Sequence, residues 1–341
     1  MRAVWITRHG GPEVLEVREA PDPAPRAGEV RIRVRAAGLN FAEVMARQGL
    51  YPDAPKPPCV VGYEAAGIVD ALGPGVERPP VGARVVALVR FGAHADTVVA
   101  PAAAALEIPE GRSFEEAAAL PVNYATAWLM IFRTASVRPG ERVLVHMAAG
   151  GVGIAALQLL RTIDGTVAFG TASASKHDAI RRDGCAHPID YRTRDYAEEV
   201  RALTGGEGVD VVLDPLGGQD WKKGFGLLRA GGRLVAYGFA NIASGERRSL
   251  LRVAMQGLRI PRFNPLDLMN RNRGVLGFNL GHLWKRPDLV RSALEALVAL
   301  WREGRIQPRV DSAFPLERAA DAHRRIQERK NVGKVVLVTG R

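Results

Sequence analysis

The residues Ala148-Ala-Gly-Gly-Val-Gly153 have the types and spacing of a turn that holds a pyrophosphate. Gly150 and Gly151 let backbone N–H groups approach an anion with no Cβ in the way, and Gly153 lets the next helix pack close to the preceding strand. The N-terminus of the helix that follows Val152 and Gly153 then turns its free N–H groups and positive dipole end towards the phosphates. The spelling is A-x-G-x-x-G, with Ala148 at the place of the usual first glycine. An NAD site carries an acid at the end of the second strand, about twenty residues after the glycines, for the ribose 2′-hydroxyl. Here that strand reads to Phe169-Gly170-Thr171 without an acid, and Asp164 precedes it. Ser173, Ser175 and Lys176, with Tyr191 further on, instead supply hydroxyls and a cation suited to a 2′-phosphate. The pattern selects NADPH. The alternative for Lys176 is a solvated lysine on a first helical turn, where the dipole opposes it unless an anion compensates.

Several elements must position these residues. Val143–Val145 reads as a buried strand, Ile154–Arg161 as a helix and Thr166–Gly170 as a second strand. Together they span about thirty residues, the size of one βαβ unit. Strand patterns recur at Val209–Leu213, Arg233–Tyr237 and Val275–Leu280, separated by helical patterns at Ser175–Asp183, Asp195–Leu203 and Trp221–Leu228. Alternation of this kind predicts a doubly wound parallel sheet with its ligand beyond the carboxyl ends of the strands. Thr171, Leu216, Gly217, Gly238, Phe239, Phe278 and Leu280 are the strand-end candidates to line that crevice, although glycines there also simply end strands.

The first third has a different texture. Glu29–Arg35 alternates polar and apolar residues as a half-buried strand does, and Gly67–Leu72, Ala83–Val89 and Ala95–Val99 are short and β-rich. Proline and glycine clusters punctuate them, which predicts a mostly antiparallel, barrel-like domain. Ser113-Phe-Glu-Glu116 is a capping box that opens an alanine-rich helix, and Gly333–Thr339 reads as a last strand returning to the first domain.

Composition narrows the function classes. A chain of 341 residues holds two domains. It has no apolar run of about eighteen residues and only Cys59 and Cys185, so a reducing cytoplasm is the expected location. The net charge of +11 invites a nucleic-acid partner, but only seven of the 47 basic residues are lysine and the arginines are scattered. With no basic run interleaved with aromatics, nucleic acid is not expected as a partner.

Ala37-Gly-Leu-Asn-Phe-Ala-Glu43, Gly49-Leu-Tyr51, Gly62-Tyr-Glu64, Asn123-Tyr-Ala-Thr126 and the glycine turn together resemble the medium-chain dehydrogenase/reductases, over essentially the whole chain. The resemblance is nearest to the quinone oxidoreductase branch. Phe169–His177, His187–Tyr191 and Lys330-Asn-Val-Gly-Lys-Val335 are most similar to its synaptic vesicle amine transport protein subgroup. The resemblance implies an α/β fold: a GroES-like β-rich catalytic domain over 1–121, completed by 288–341, and a Rossmann domain over 122–287. It also implies a homodimer, paired through the edge strand at Val275–Leu280, that reduces quinones or enones with NADPH. It places Asn40 and Tyr51 at the substrate, where an amide and a phenol could hydrogen-bond a carbonyl oxygen, and Thr126 and Asn331 on the cofactor side. The plainer roles are a helix cap for Asn40, a turn aromatic for Tyr51 and a packing residue for Thr126.

Zinc enzymes of this superfamily place a cysteine where Asn40 stands, a histidine where Tyr63 stands and another cysteine near Val122. A catalytic zinc needs three good ligands, so no metal is expected. Without zinc to lower an alcohol's pKa, an electrophilic acceptor, a quinone or enone, suits the site. The seven histidines show no ligand spacing and no evident carboxylate partner. A second reading, from the same subgroup, is a nucleotide-binding protein that associates with acidic membranes through Arg247-Arg248 and Trp284-Lys-Arg286.

Overall fold

The computed structural model describes residues 1–243 and 245–340. Ser244 and Arg341, which fall in the ranges expected for the second and first domains, lie outside the described residues. Along the chain come β1 (Arg2–Ile6), β2 (Leu15–Glu19), β3 (Glu29–Leu39), α1 (Phe41–Gln48), β4 (Cys59–Val60), β5 (Glu64–Leu72), β6 (Arg84–Leu88), β7 (Thr97–Pro101) and β8 (Ala105–Glu107). Next are α2 (Phe114–Ala118), α3 (Pro121–Trp128), β9 (Arg142–Val145), α4 (Gly151–Leu160), β10 (Val167–Ala172), α5 (His177–Arg182), β11 (His187–Asp190), α6 (Tyr196–Leu203) and β12 (Val209–Asp214). The chain continues through α7 (Gln219–Phe225), β13 (Leu228–Ala236), α8 (Leu250–Leu258), α9 (Pro265–Arg271) and β14 (Gly274–Gly277). It closes with α10 (Pro287–Arg302), β15 (Val310–Pro315), α11 (Ala319–Gln327) and β16 (Lys334–Val338). Two compact units result, one of Met1–Ala125, Gly245–Arg248 and Gly281–Arg341, the other of Thr126–Ser244 and Ser249–Leu280.

In the first unit β3 is the organising strand. It pairs antiparallel with β5, β7 and β16, and β15 and β16 run parallel at one end of the sheet. Its alternation places Val30, Ile32 and Val34 in the core with Val69, Val85 and Val98. The last strand does return here, with Val336 opposite Gly38. Ser113 caps α2 as its spacing predicts, its hydroxyl accepting from the Glu116 N–H at 3.1 Å.

The second unit is a six-stranded sheet in the order β11-β10-β9-β12-β13-β14, parallel throughout. The strand first in the chain lies mid-sheet and the order reverses beside it, the doubly wound Rossmann arrangement with its switch point at β9. Buried strands such as β12 read as near-continuous apolar runs because helices cover both faces.

Several boundaries differ from the sequence reading, three of them in the second unit for a clear reason. The strand expected to reach Leu280 ends at Gly277, because a 3-10 turn takes over at Leu280. β13 starts at Leu228, five residues early, since Leu228 pairs with Val209 ahead of a register shift. The helix expected over Trp221–Leu228 therefore stops at Phe225.

Ala148 stands in place of a glycine because β10 makes room for it. A Cβ on Gly170 would lie 2.9 Å from the Ala148 methyl and 2.7 Å from Cys185 Sγ. Gly170→Ala should therefore cost about 1–3 kcal/mol, read as a shifted urea midpoint. Adding Ala148→Gly should recover part of that loss; strictly additive losses would contradict the packing.

Candidate functional site

In the second unit the glycine turn follows β9 at the order reversal. Gly150 caps α4, and a Cβ on Gly153 would come within 2.6 Å of the Ala148 carbonyl oxygen. Only a bare backbone allows that approach, so the helix start is pinned to the turn. Gly150, Gly151 and Val152 are half-buried, while Ala148 is buried. Thr171 braces the turn from β10. Its carbonyl accepts from the Ala148 N–H at 3.0 Å, and its hydroxyl lies 3.2 Å from the Met147 N–H and 3.1 Å from His146 Nδ1. The Thr171 side chain thus holds the loop rather than facing outward.

After β10 the chain turns through Ser173, Ser175 and Lys176, the two hydroxyls 3.5 Å apart and the Lys176 N–H donating to the Ser173 carbonyl at 2.9 Å. Tyr191 follows β11 and is exposed. Beyond β12, Asp214 Oδ1 accepts from the Leu216 N–H at 2.6 Å and the Gly217 N–H at 3.2 Å. Phe239 packs on Gly217 and stacks against Trp221, with ring centroids 5.5 Å apart, and a Cβ on Gly238 would lie 2.9 Å from the Pro215 carbonyl oxygen. These glycines lock the loops after β12 and β13 together. The Phe278 N–H still donates to the Ala236 carbonyl at 2.9 Å, whereas Leu280 has left the sheet. Thr126 is buried in α3. Asn331 lies in the other unit, where its amide donates to the Gly333 carbonyl.

The first unit holds a buried network that the sequence did not announce. Lys334 Nζ pairs with Glu64 Oε1 and donates to Asn40 Oδ1 at 2.6 Å. Asn40 Nδ2 donates to Glu64 Oε1 at 3.0 Å and to Glu43 Oε1 at 3.2 Å, and the Val122 N–H donates to Glu64 Oε2 at 2.7 Å. A Cβ on Gly38 would lie 2.6 Å from both Glu64 Cδ and Lys334 Cε, so the glycine makes space for the ion pair. Glu43 Oε2 accepts the Asn40 N–H at 2.7 Å and thereby ties the start of α1. Both amide hydrogens of Asn40 are committed, so in this arrangement it braces the network and has none left for a substrate oxygen. Burial raises the Glu43 carboxyl to about 8 and lowers the neighbouring His94 imidazole to about 4.

Three histidines do have carboxylate neighbours. His94 Nε2 is 4.0 Å from Glu43, His282 Nε2 is 2.8 Å from Asp53, and His146 feels the charge of Asp214. Single charges such as Glu43, three residues after Asn40, and Lys334, opening an apolar strand, were the signals in the sequence. The pairing itself is long-range and leaves no local trace. Among the described residues no group of three His, Cys, Asp or Glu side chains is placed to hold a metal.

The chain matches a zinc-binding dehydrogenase family model over residues 184–337 and an alcohol dehydrogenase GroES-like domain model over residues 26–110. The synaptic vesicle membrane protein VAT-1 homolog of Danio rerio is 48% identical over 339 residues, 99% of this chain and 70% of that protein. This chain belongs to the medium-chain dehydrogenase/reductase superfamily, close to the VAT-1 homologs. The crystal structure of human VAT-1 homolog-like protein superimposes with a TM-score of 0.87 at 39% identity, covering 100% of this chain and 98% of that one. Escherichia coli quinone oxidoreductase complexed with NADPH gives a TM-score of 0.87 at 30% identity, covering 99% and 100%. The fold is that of a medium-chain oxidoreductase. Among the described residues no helix is long and apolar enough to cross a membrane.

The displaced ionisation of Glu43 has a sign. Its folded carboxyl holds a proton to about 8, against an ordinary 4.5, so the protonated form favours folding. That contribution is full below pH 4.5 and drains away as pH rises to about 8. Wild-type stability should fall across this window, and Glu43→Gln should flatten the slope in denaturant titrations at successive pH values. Separately, Lys334→Met leaves Glu64 buried without its cation and should cost about 3–5 kcal/mol, with Glu64→Gln in the same chain recovering part.

Proposed function

We propose that this protein is a zinc-independent, NADPH-dependent reductase of quinones or α,β-unsaturated carbonyls. The observation that carries the reading is the bare glycine turn at the switch point of a parallel sheet, followed after β10 by Ser173, Ser175 and Lys176 where an NAD site has its acid. The turn fits a pyrophosphate: any side chain at Gly153 would meet backbone, and a Cβ on Gly150 would already lie 3.2 Å from the Met147 carbonyl oxygen.

NADPH, when bound, supplies a hydride from its nicotinamide to an electrophilic carbon or quinone ring. The chain's own part is to bind and orient. The N–H groups at the start of α4 would hold the diphosphate, and Lys176 would neutralise charge on the 2′-phosphate while the serine hydroxyls and Tyr191 hydrogen-bond it. Leu216, Gly238, Phe239, Phe278 and Thr126 would line the nicotinamide side. Tyr51 is the candidate to hydrogen-bond the acceptor's oxygen, while Asn40 braces the Glu64–Lys334 pair. The proton that completes reduction comes from solvent.

Zinc-independence rests on what stands at the ligand positions: an amide committed to carboxylates at Asn40, a phenol at Tyr63 and an aliphatic side chain at Val122. The competing membrane reading is weakened by intramolecular ion pairs, Arg247 with Glu13 at 2.9 Å and Arg286 with Asp288 at 2.7 Å. A homodimer is part of the proposal. β14 is an edge strand, and the segment before it exposes Leu250, Leu251, Met255, Leu258, Leu266 and Met269.

A hydrogen bond to a charged group contributes about 1.5–3 kcal/mol, so Lys176→Ala should weaken NADPH binding about ten- to a hundredfold and leave NADH binding unchanged in calorimetric titrations. Equal loss for both nucleotides, or a wild type that prefers NADH, would refute the cofactor assignment. Sedimentation should give twice the chain mass at micromolar concentration, shifting to monomer with Leu258→Asp; a monomeric wild type would overturn the dimer.

A further inference from the structure

One residue at the glycine turn holds a backbone conformation that its side chain disfavours. Met147, just after β9, has φ at +51°, the left-handed region that L-residues enter at a cost. The turn is built on it. Its carbonyl accepts from the Gly150 N–H at 2.8 Å, and a Cβ on Gly153 would come within 2.4 Å of that same oxygen. The direction of the Met147 peptide therefore sets where the N–H groups at the start of α4 lie.

Thr171 and His146 hold Met147 in place. The Met147 N–H donates to Thr171 Oγ1 at 3.2 Å, and the Ala148 N–H donates to the Thr171 carbonyl at 3.0 Å. The Thr171 side chain is buried, and His146 Nδ1 lies 3.1 Å from its hydroxyl oxygen. His146 is fully enclosed. Its N–H donates to the Leu213 carbonyl at 3.1 Å, and its ring meets Tyr196 edge-on with centroids 4.6 Å apart. The imidazole is thus fixed from β12 and α6 while it reaches across to β10.

Counting protons fixes the roles. A hydroxyl has one hydrogen to give and two lone pairs. Oγ1 of Thr171 accepts from Met147, and among the described residues His146 Nδ1 is the acceptor its own hydrogen reaches. A ring proton on Nδ1 would leave that buried hydrogen with nowhere to go. Nδ1 is therefore the bare nitrogen, and the imidazole carries its proton on Nε2. Burial, helped by the Lys223 charge and opposed by Asp214 and Asp220, lowers the imidazole's pKa below the ordinary histidine value. The acceptor persists at neutral pH.

We infer that His146 is a positioning residue for the nucleotide diphosphate: by accepting from Thr171 it orients the hydroxyl that holds Met147 left-handed, and so aims the N–H groups of the turn. This deepens the nucleotide-binding reading proposed above and rests on it. The diphosphate is common to NADPH and NADH, so the effect is shared by both. Lys176, by contrast, acts on the 2′-phosphate that NADPH alone carries.

The test titrates NADPH and NADH calorimetrically into the full chain and follows amide exchange by mass spectrometry in peptides covering residues 143–152. His146→Phe keeps a ring but no acceptor, and should weaken both nucleotides about tenfold, the worth of one net hydrogen bond. Thr171→Val should do the same. The double variant should bind no more weakly than Thr171→Val alone, because one residue acts through the other. His146→Asn, whose Oδ1 falls near the place of Nδ1, should restore binding to within about twofold of wild type. Losses that add in the double variant, no rescue by asparagine, or a loss confined to NADPH would overturn the inference. A histidine that only fills space would lower the melting temperature and leave both affinities alone, and that result overturns it as well. Should the wild type bind neither nucleotide, the proposed reading fails. Amide exchange still decides the pinning, since it must quicken at the turn in His146→Phe and return to the wild-type rate in His146→Asn; unchanged exchange contradicts it.

Discussion

Backbone left bare at the carboxyl end of β9 is the constraint on which the second unit depends. Gly153 brings α4 within a distance of the Ala148 carbonyl that no side chain tolerates, and that approach aims the helix N-terminus at the turn. The neighbouring strands adapt to it. β10 offers Gly170 to the Ala148 methyl and Thr171 to the turn's N–H groups. β12 offers Asp214, whose carboxylate organises the next loop. An alanine can replace the first glycine because the room has moved to the adjacent strand.

The first unit meets the opposite problem, charge inside a β-rich core. Lys334 and Glu64 are both buried, and the pair is tolerable because Asn40 and the Val122 N–H add hydrogen bonds to the two charges. The network joins the end of β3, the starts of α1, β5 and α3, and β16. It thus ties the chain's last strand to the segments that carry the substrate-side candidates. Asn40 is more completely used by this bracing than an oxyanion donor could be.

Much of this architecture was legible in the sequence, because strand periodicity, the glycine turn and the Ser113 capping box are local signals. The parallel order followed from strand–helix alternation. The end of β14 and the early start of β13 were not legible, since one depends on a 3-10 turn and the other on pairing with Val209. In the site, the turn was read from its spacing, and its serine–lysine successor from residue type and position together with the family resemblance. The partners of Glu43, His94, His146 and Lys334 were not, because each lies on a segment distant in the chain or depends on burial.

Hydride transfer from NADPH without a metal is the proposal on which the chemistry depends. It is tested most directly by mixing chelator-treated protein, verified free of zinc by elemental analysis, with NADPH and phenanthrenequinone and following the loss of reduced-nucleotide absorbance. Turnover should be full and unaltered by added zinc. No turnover until zinc is restored, with about one zinc bound per chain, would contradict it.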